Sequence, residues 1–225
     1  MNRTVLFDTE TTGLDPLFGD RVIEIAAIEL VNDLPTGRVF HTLLDPERDI
    51  PAESSRIHGI TSRDVEGKPK FAEIAQDLLD FFGPGPLIAH NAPFDFNFLD
   101  AELARIGLPS LERTRMIDTL TLAKEKFPGV PNSLDALCRR FEIDLSLRTT
   151  HNALLDCKLL AEVYVELTGG RQRGFELDGE NAGFNFATYT LEGPRTPRIM
   201  AVTEAERTAH AAFVGKIKDA VWLSQ

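Results

Sequence analysis

The sequence predicts an α/β fold, and three observations carry the prediction. Strand-like runs at residues 4–10, 21–31 and 39–44 come first. From residue 71 onward, helices with one apolar stripe alternate with short apolar strands at 87–89 and 116–120. A chain of 225 residues that is 43% hydrophobic is long enough to bury one full core and carry a little extra.

The first strand, Thr4-Val5-Leu6-Phe7-Asp8-Thr9-Glu10, is the one around which the chain is organised. Successive side chains on a strand point to opposite faces, so Asp8 and Glu10 share one face while Val5 and Phe7 share the other, which reads as core. Neighbouring carboxylates repel unless a cation sits between them or one takes a proton. Oxygen ligands of this kind suit hard divalent ions, Mg²⁺ or Mn²⁺. On these two residues alone, a solvated strand end with two surface acids explains the pattern equally well. Residues 21–31 follow as a long strand in which Val22, Ile25, Ala27 and Ile28 do not alternate cleanly, as in a strand buried on both faces. Residues 32–37 are turn-rich and 39–44 return as a third strand, giving an antiparallel meander. Residues 45–70 read as a loop rich in Pro, Ser, Gly and charge. Within it, Ile57-His58-Gly59-Ile60 sets a histidine among apolar neighbours, where a packed loop residue is commoner than a ligand.

Phe71, Ile74, Ala75, Leu78 and Phe82 form one stripe of a helix over 71–82, which Gly83-Pro84-Gly85-Pro86 stops. Leu87-Ile88-Ala89 is a short buried strand. His90-Asn91-Ala92-Pro93-Phe94-Asp95 then turns into a helix with Pro93 in its first turn, buried through Phe94, Phe98 and Leu103. Asp95 sits at the strand's exit, where open α/β sheets place functional groups, and where an acid also caps a helix. A strand over 116–120, with a helix running on through Ala123, precedes a helix over 133–141 that buries Leu134, Leu137, Cys138 and Phe141. The last helix of the body spans about 153–168, with Gly169-Gly170 at its end. Five helical residues turn through roughly 140° beyond a full revolution. His151 and Asp156 therefore meet only if His151 lies in the loop before that helix.

The charge limits the partners. Residues 1–170 hold 17 Lys/Arg against 28 Asp/Glu, the whole of the −11 net charge, while 171–225 hold seven of each. An acidic body does not bind duplex DNA tightly along a basic groove, but it can hold a strand end through metal ions or receive it from a partner. There is no signal-peptide pattern or apolar run of membrane-spanning length, and Cys138 and Cys157 fall in apolar helical patterns as core thiols. These features predict a cytoplasmic protein with no membrane contact.

Taken in order, Asp8-x-Glu10, Asn91-x-x-Phe94-Asp95 and His151-x-x-x-x-Asp156 resemble the three motifs of the DEDDh family of 3′→5′ exonucleases. Phe7-Asp8-Thr9-Glu10-Thr11-Thr12-Gly13, Ile57-His58-Gly59-Ile60, Asn132-Ser133-Leu134-Asp135-Ala136-Leu137-Cys138 and Ala161-Glu162-Val163-Tyr164 resemble most closely the proofreading subunits of bacterial replicative polymerases within that family. The resemblance covers residues 4–170. It implies a ribonuclease-H-like mixed five-stranded sheet with helices on both faces, and an exonuclease domain over 1–170. It further implies two divalent ions, Mg²⁺ or Mn²⁺, held by Asp8, Glu10, Asp95 and Asp156, with Asp8 bridging. His151 would be the general base, its reference pKa of about 6.5 suiting work near neutrality. Glu53 and His58 would contact the terminal nucleotide beside Asp8, Glu10 and Asp156, the backbone around Thr11 and Thr12 would lie against its base and sugar, and Phe94 would be an apolar wall. Asp118 receives no such role.

Residues 171–198 read as a linker rich in Gly, Asn, Pro and charge. Gln172, Phe175 and Leu177 at its start resemble the short Gln-first peptide that docks on a sliding clamp. Residues 199–225 form a helical tail opened by Thr203-Glu204-Ala205-Glu206, a capping box, with Ala209, Phe213, Ile217, Ala220 and Val221 on one stripe. Such a helix is marginal alone and either folds back on its own domain or takes a partner, which by resemblance is the polymerase catalytic subunit. The expected function is thus a proofreading subunit that removes nucleotides from the 3′ end of single-stranded or frayed DNA. A free-standing DEDDh exonuclease on short single-stranded DNA or RNA is the alternative, and a non-catalytic scaffold the third reading.

Overall fold

Strand β1 (Arg3–Thr11) lies at the centre of a five-stranded sheet of order β3-β2-β1-β4-β5. The computed structural model describes residues 3–146, 148, 150–169 and 201–218. β1 pairs antiparallel with β2 (Val22–Val31), which pairs antiparallel with β3 (Leu34–Leu43). On its other side β1 runs parallel to β4 (Leu87–Ala89), and β4 parallel to β5 (Met116–Asp118). Helices lie between the strands of the parallel pairs, a tight turn joins β2 to β3, and residues 12–21 join β1 to β2, so the sheet is mixed. The third strand starts five residues earlier than the expected Val39. The turn is only Asn32-Asp33, both at positive φ (52° and 66°), as a twist-matched two-residue hairpin requires. Pro35 and Gly37, which read as turn residues, lie within β3, where the sheet's edge and a bulge between Ile28 and Leu30 accommodate them.

Helices α3 (Phe71–Phe82) and α4 (Ala92–Arg105) cover one face. Val5, Phe7, Ile25, Ala27, Leu87 and Ala89 meet them there, and the Phe7 ring stands 5.2 Å from Phe82 and 5.8 Å from Phe96. Tilted pairs of this kind add about 0.5–1.5 kcal/mol each beyond their burial. Helices α5 (Thr119–Lys126), α6 (Leu134–Arg140) and α7 (Ala153–Leu167) cover the other face, against Leu6, Ala26, Ile28, Leu30 and Ile88. Both faces of β1 are therefore core, and Asp8 and Glu10 end a buried strand rather than a solvated one. Cys138 and Cys157 are free, buried thiols in this second layer.

The stretch expected to be a loop at 45–70 contains two short helices, α1 (Ala52–His58) and α2 (Ser62–Val65). α1 buries only His58, so no apolar period marks it in the sequence. Ile50, Ile60 and Val65 pack the segment onto Ile23.

The chain divides into two compact units, Met1–Phe175 and Glu176–Gln225. In the second, α8 (Glu204–Val214) opens with the expected capping box between Thr203 and Glu206. The helix ends at Val214, so Ile217 lies beyond it, while Ala209 and Phe213 are exposed. Ala220 and Val221, the linker at 171–198, and Gln172, Phe175 and Leu177 lie outside the described residues. No helix among the described residues is long and apolar enough to cross a membrane.

Candidate active site

The end of β1 brings Asp8 and Glu10 under the first turn of α7. Glu10 pairs across the ladder with Glu24 of β2, so three acids stand on one face. Burial, then the charges of Asp95, Glu10, Asp156 and Glu24, push the Asp8 carboxyl well above the usual carboxylate range. Burial, then Asp156, Glu24 and Asp95, raise Glu10 to about 8, while Arg148 draws it down. Asp95 enters from the first turn of α4, where it is buried. Burial lifts it to about 7, against the hydrogen bonds that its Oδ1 accepts from the Thr9 N–H (3.1 Å) and hydroxyl (2.7 Å).

Asp156 differs. Burial would raise it, but the Arg148 guanidinium holds it below its ordinary value by donating Nε to Oδ1 at 2.6 Å and Nη2 to Oδ2 at 2.7 Å. Removing one partner of a buried ion pair costs about 3–5 kcal/mol, so this carboxylate requires a cation. Arg148 Nη1 also pairs with Asp135 of α6.

His151 lies in the loop before α7, as the motif spacing demands. Its N–H donates to the Ile57 carbonyl (3.1 Å), and its Nδ1 sits 3.5 Å from Asp156 Oδ2 and 3.1 Å from Arg148 Nη2. The N-cap of α7 is tied to the sheet by Glu24, which accepts from Asn152 Nδ2 and the Ala153 N–H (both 3.1 Å) and meets His41 Nε2 at 2.7 Å. This lock sets Asp156 over β1.

The arrangement fits a hard divalent cation. Four carboxylates converge, and the raised Glu10 and Asp95 cannot ionise together without positive charge between them. One ligand atom each from Glu10, His151 and Asp156 lies within 4.8 Å of the others. Asp8 and Asp95 stand outside that group, joined to it through charge.

The other expected residues flank the cluster. Thr11 and Thr12 are buried at the end of β1. Ser54 of α1 donates to the Thr12 carbonyl at 2.7 Å, clipping α1 beside the site. Glu53 is exposed in the first turn of α1. The Ile60 N–H donates to His58 Nδ1 at 3.0 Å, which places the ring proton on Nε2, an atom without a hydrogen-bond partner among the described residues. Phe94 is half-buried with its ring 4.8 Å from Phe98, as core packing alone would place it. Asp118 is spent on structure: its Oδ1 accepts from Asn91 N–H (2.9 Å), Ala92 N–H (3.1 Å) and Leu120 N–H (3.1 Å), capping α4 and α5 together. Sequence reading missed Thr9, Glu24 and Arg148. Each acts through a partner far away in sequence or through a turn, and none falls on a catalytic spacing.

Over residues 5–164 the chain matches the sequence model of the RNase_T family, described as exonuclease. It is 48% identical over 221 residues to the DNA polymerase III subunit epsilon of Rickettsia typhi, covering 96% of each chain. To the same subunit of Escherichia coli K12 it is 39% identical over 223 residues, covering 94% of this chain and 92% of the relative. Among solved structures, Exonuclease X in complex with 5′ overhanging duplex DNA has a TM-score of 0.59 and 26% identity over 75% of this chain and 92% of that one. The zinc-bound E. coli ExoI–ssDNA complex, 20% identical with a TM-score of 0.64 over 76% of this chain and 41% of that one, shares the fold.

Proposed function

The chain belongs to the exonuclease family and groups there with the DNA polymerase III epsilon subunits, and we propose that it is a 3′→5′ proofreading exonuclease whose centre is the acid cluster of β1, α4 and α7. The observation that carries this reading is the convergence of Asp8, Glu10, Asp95 and Asp156 beside His151 at the end of the central strand. Two divalent ions, Mg²⁺ or Mn²⁺, would neutralise charge on the attacking and leaving oxygens of a phosphodiester. Asp8, Glu10, Asp95 and Asp156 would hold them.

The remaining steps belong to the chain's own groups. Thr9 fixes one Asp95 oxygen, and Glu24 fixes the start of α7, so two acids arrive at set positions. His151, half-exposed on its loop, takes the proton of the attacking water at a ring nitrogen. Glu53 and His58 would contact the terminal nucleotide, His58 through its buried, unpartnered Nε2 once that atom is uncovered, and the Thr11–Thr12 backbone would lie along base and sugar. The alignment with the epsilon subunits runs through the tail as well as the nuclease domain, which supports α8 as the polymerase contact and Gln172, Phe175 and Leu177 as a clamp peptide.

A single-strand site makes a duplex end unpair before cleavage, and a mismatch has already lost much of that pairing. Release of 3′ mononucleotides from a mismatched primer should therefore start faster than from a matched one at equal salt and metal. Equal rates would remove the proofreading reading while leaving an exonuclease.

A further inference from the structure

Asp156 is the acid of the cluster already engaged by a cation. Both of its oxygens are occupied by Arg148, and the two side chains are 6% and 8% exposed. The same guanidinium reaches His151 Nδ1 at 3.1 Å, so it engages two of the three groups whose ligand atoms lie within 4.8 Å of one another. A planar guanidinium and a divalent ion ask for the same lone pairs of a carboxylate and an imidazole.

We propose that Arg148 is the resident counter-cation of the acid cluster, holding Asp156 and His151 until a divalent ion displaces it onto Asp135. This rests on reading the cluster as a metal centre. Asp135 supplies the destination: its carboxylate already pairs with the third nitrogen of the guanidinium, and it is 39% exposed, so it lies open to solvent outside the buried cluster. Metal loading is then an exchange of cations rather than simple addition. The cluster keeps its geometry when no ion is bound, and the ion must break a bidentate pair to enter. The hydrogen bond from Arg148 also occupies the Nδ1 lone pair of His151, and the exchange releases it when the ion arrives.

The test is calorimetric titration of the full chain with Mn²⁺ in the absence of DNA, beside thermal melting in chelator. Arg148→Gln should bind Mn²⁺ roughly tenfold more tightly, about 1.4 kcal/mol. It should melt lower than wild type without ion and gain more on adding Mn²⁺. Arg148→Lys, which keeps the charge but not the fork, should fall between, and decides the matter if the Gln variant does not fold even with Mn²⁺. Asp135→Asn should bind Mn²⁺ more weakly, having removed the place to which the guanidinium retreats. Unchanged or weaker Mn²⁺ affinity in a cooperatively melting Arg148→Gln protein would overturn the exchange while leaving the metal centre intact. A wild-type chain that takes up no Mn²⁺ would overturn the metal centre itself, and the exchange with it.

Discussion

Burial keeps Glu10 and Asp95 protonated to higher pH than ordinary carboxyls, and this has a measurable consequence. Both are raised, to about 8 and about 7, from ordinary values of 4.5 and 3.8. A raised acid binds more protons in the folded chain than in the unfolded one, so its contribution to stability is full below the ordinary value and is lost as pH climbs through the folded one. Asp156, which is depressed, works in the opposite sense, but its contribution is lost only below its ordinary value of 3.8. The metal-free protein should therefore melt lower at about pH 8 than at about pH 5, and Mg²⁺ or Mn²⁺ should restore most of the difference at the higher pH. A melting temperature that rises over this interval in chelator would show that the acids are not crowded as described.

The elements differ in how far the sequence discloses them. α3 is legible from its strong one-sided period, and β1, α4 and α7 from apolar runs whose ends are punctuated, as by Gly83-Pro84 after α3 and by Pro93 at the start of α4. The placement of His151 was also legible, since helix geometry forbids the pair on one stripe and the structure puts His151 before the Asn152 cap. α1 and α2 were hidden because they bury His58 and Val65 rather than an apolar stripe, and fold by packing on Ile23. β3 extends past what local preference predicts, because Pro35 and Gly37 are turn formers that an edge strand accommodates. The four acids are set by motif spacing, whereas Thr9, Glu24 and Arg148 act through tertiary contacts. The bond from Asn152 to Glu24 joins residues 128 apart, which no local pattern records.

The net charge of −11 shapes what the whole chain can do. A body with this excess of acid should release few counterions on DNA and so should hold a strand end weakly by itself. Linkage to a protein already on DNA raises the effective concentration of that end to about the millimolar range for a short flexible link. α8, with Phe213 64% exposed, is suited to supply the attachment. Deleting residues 199–225 should leave hydrolysis of a short single strand nearly unchanged and abolish co-purification with the polymerase subunit. Phe213→Asp should weaken the same association. Full binding by the truncated chain would return the tail to the nuclease unit. The central claim, that the acids of β1, α4 and α7 are the exonuclease centre, is met most directly by following a 5′-labelled single strand with Asp8→Ala, Asp156→Ala and His151→Ala proteins. Wild type should shorten the strand one nucleotide at a time from the 3′ end, only with a divalent ion present. Both acid variants should leave the strand intact while still folded, and His151→Ala should be slower by about 10²–10⁴, the usual loss for a general base. Undiminished shortening by either folded acid variant would contradict the account.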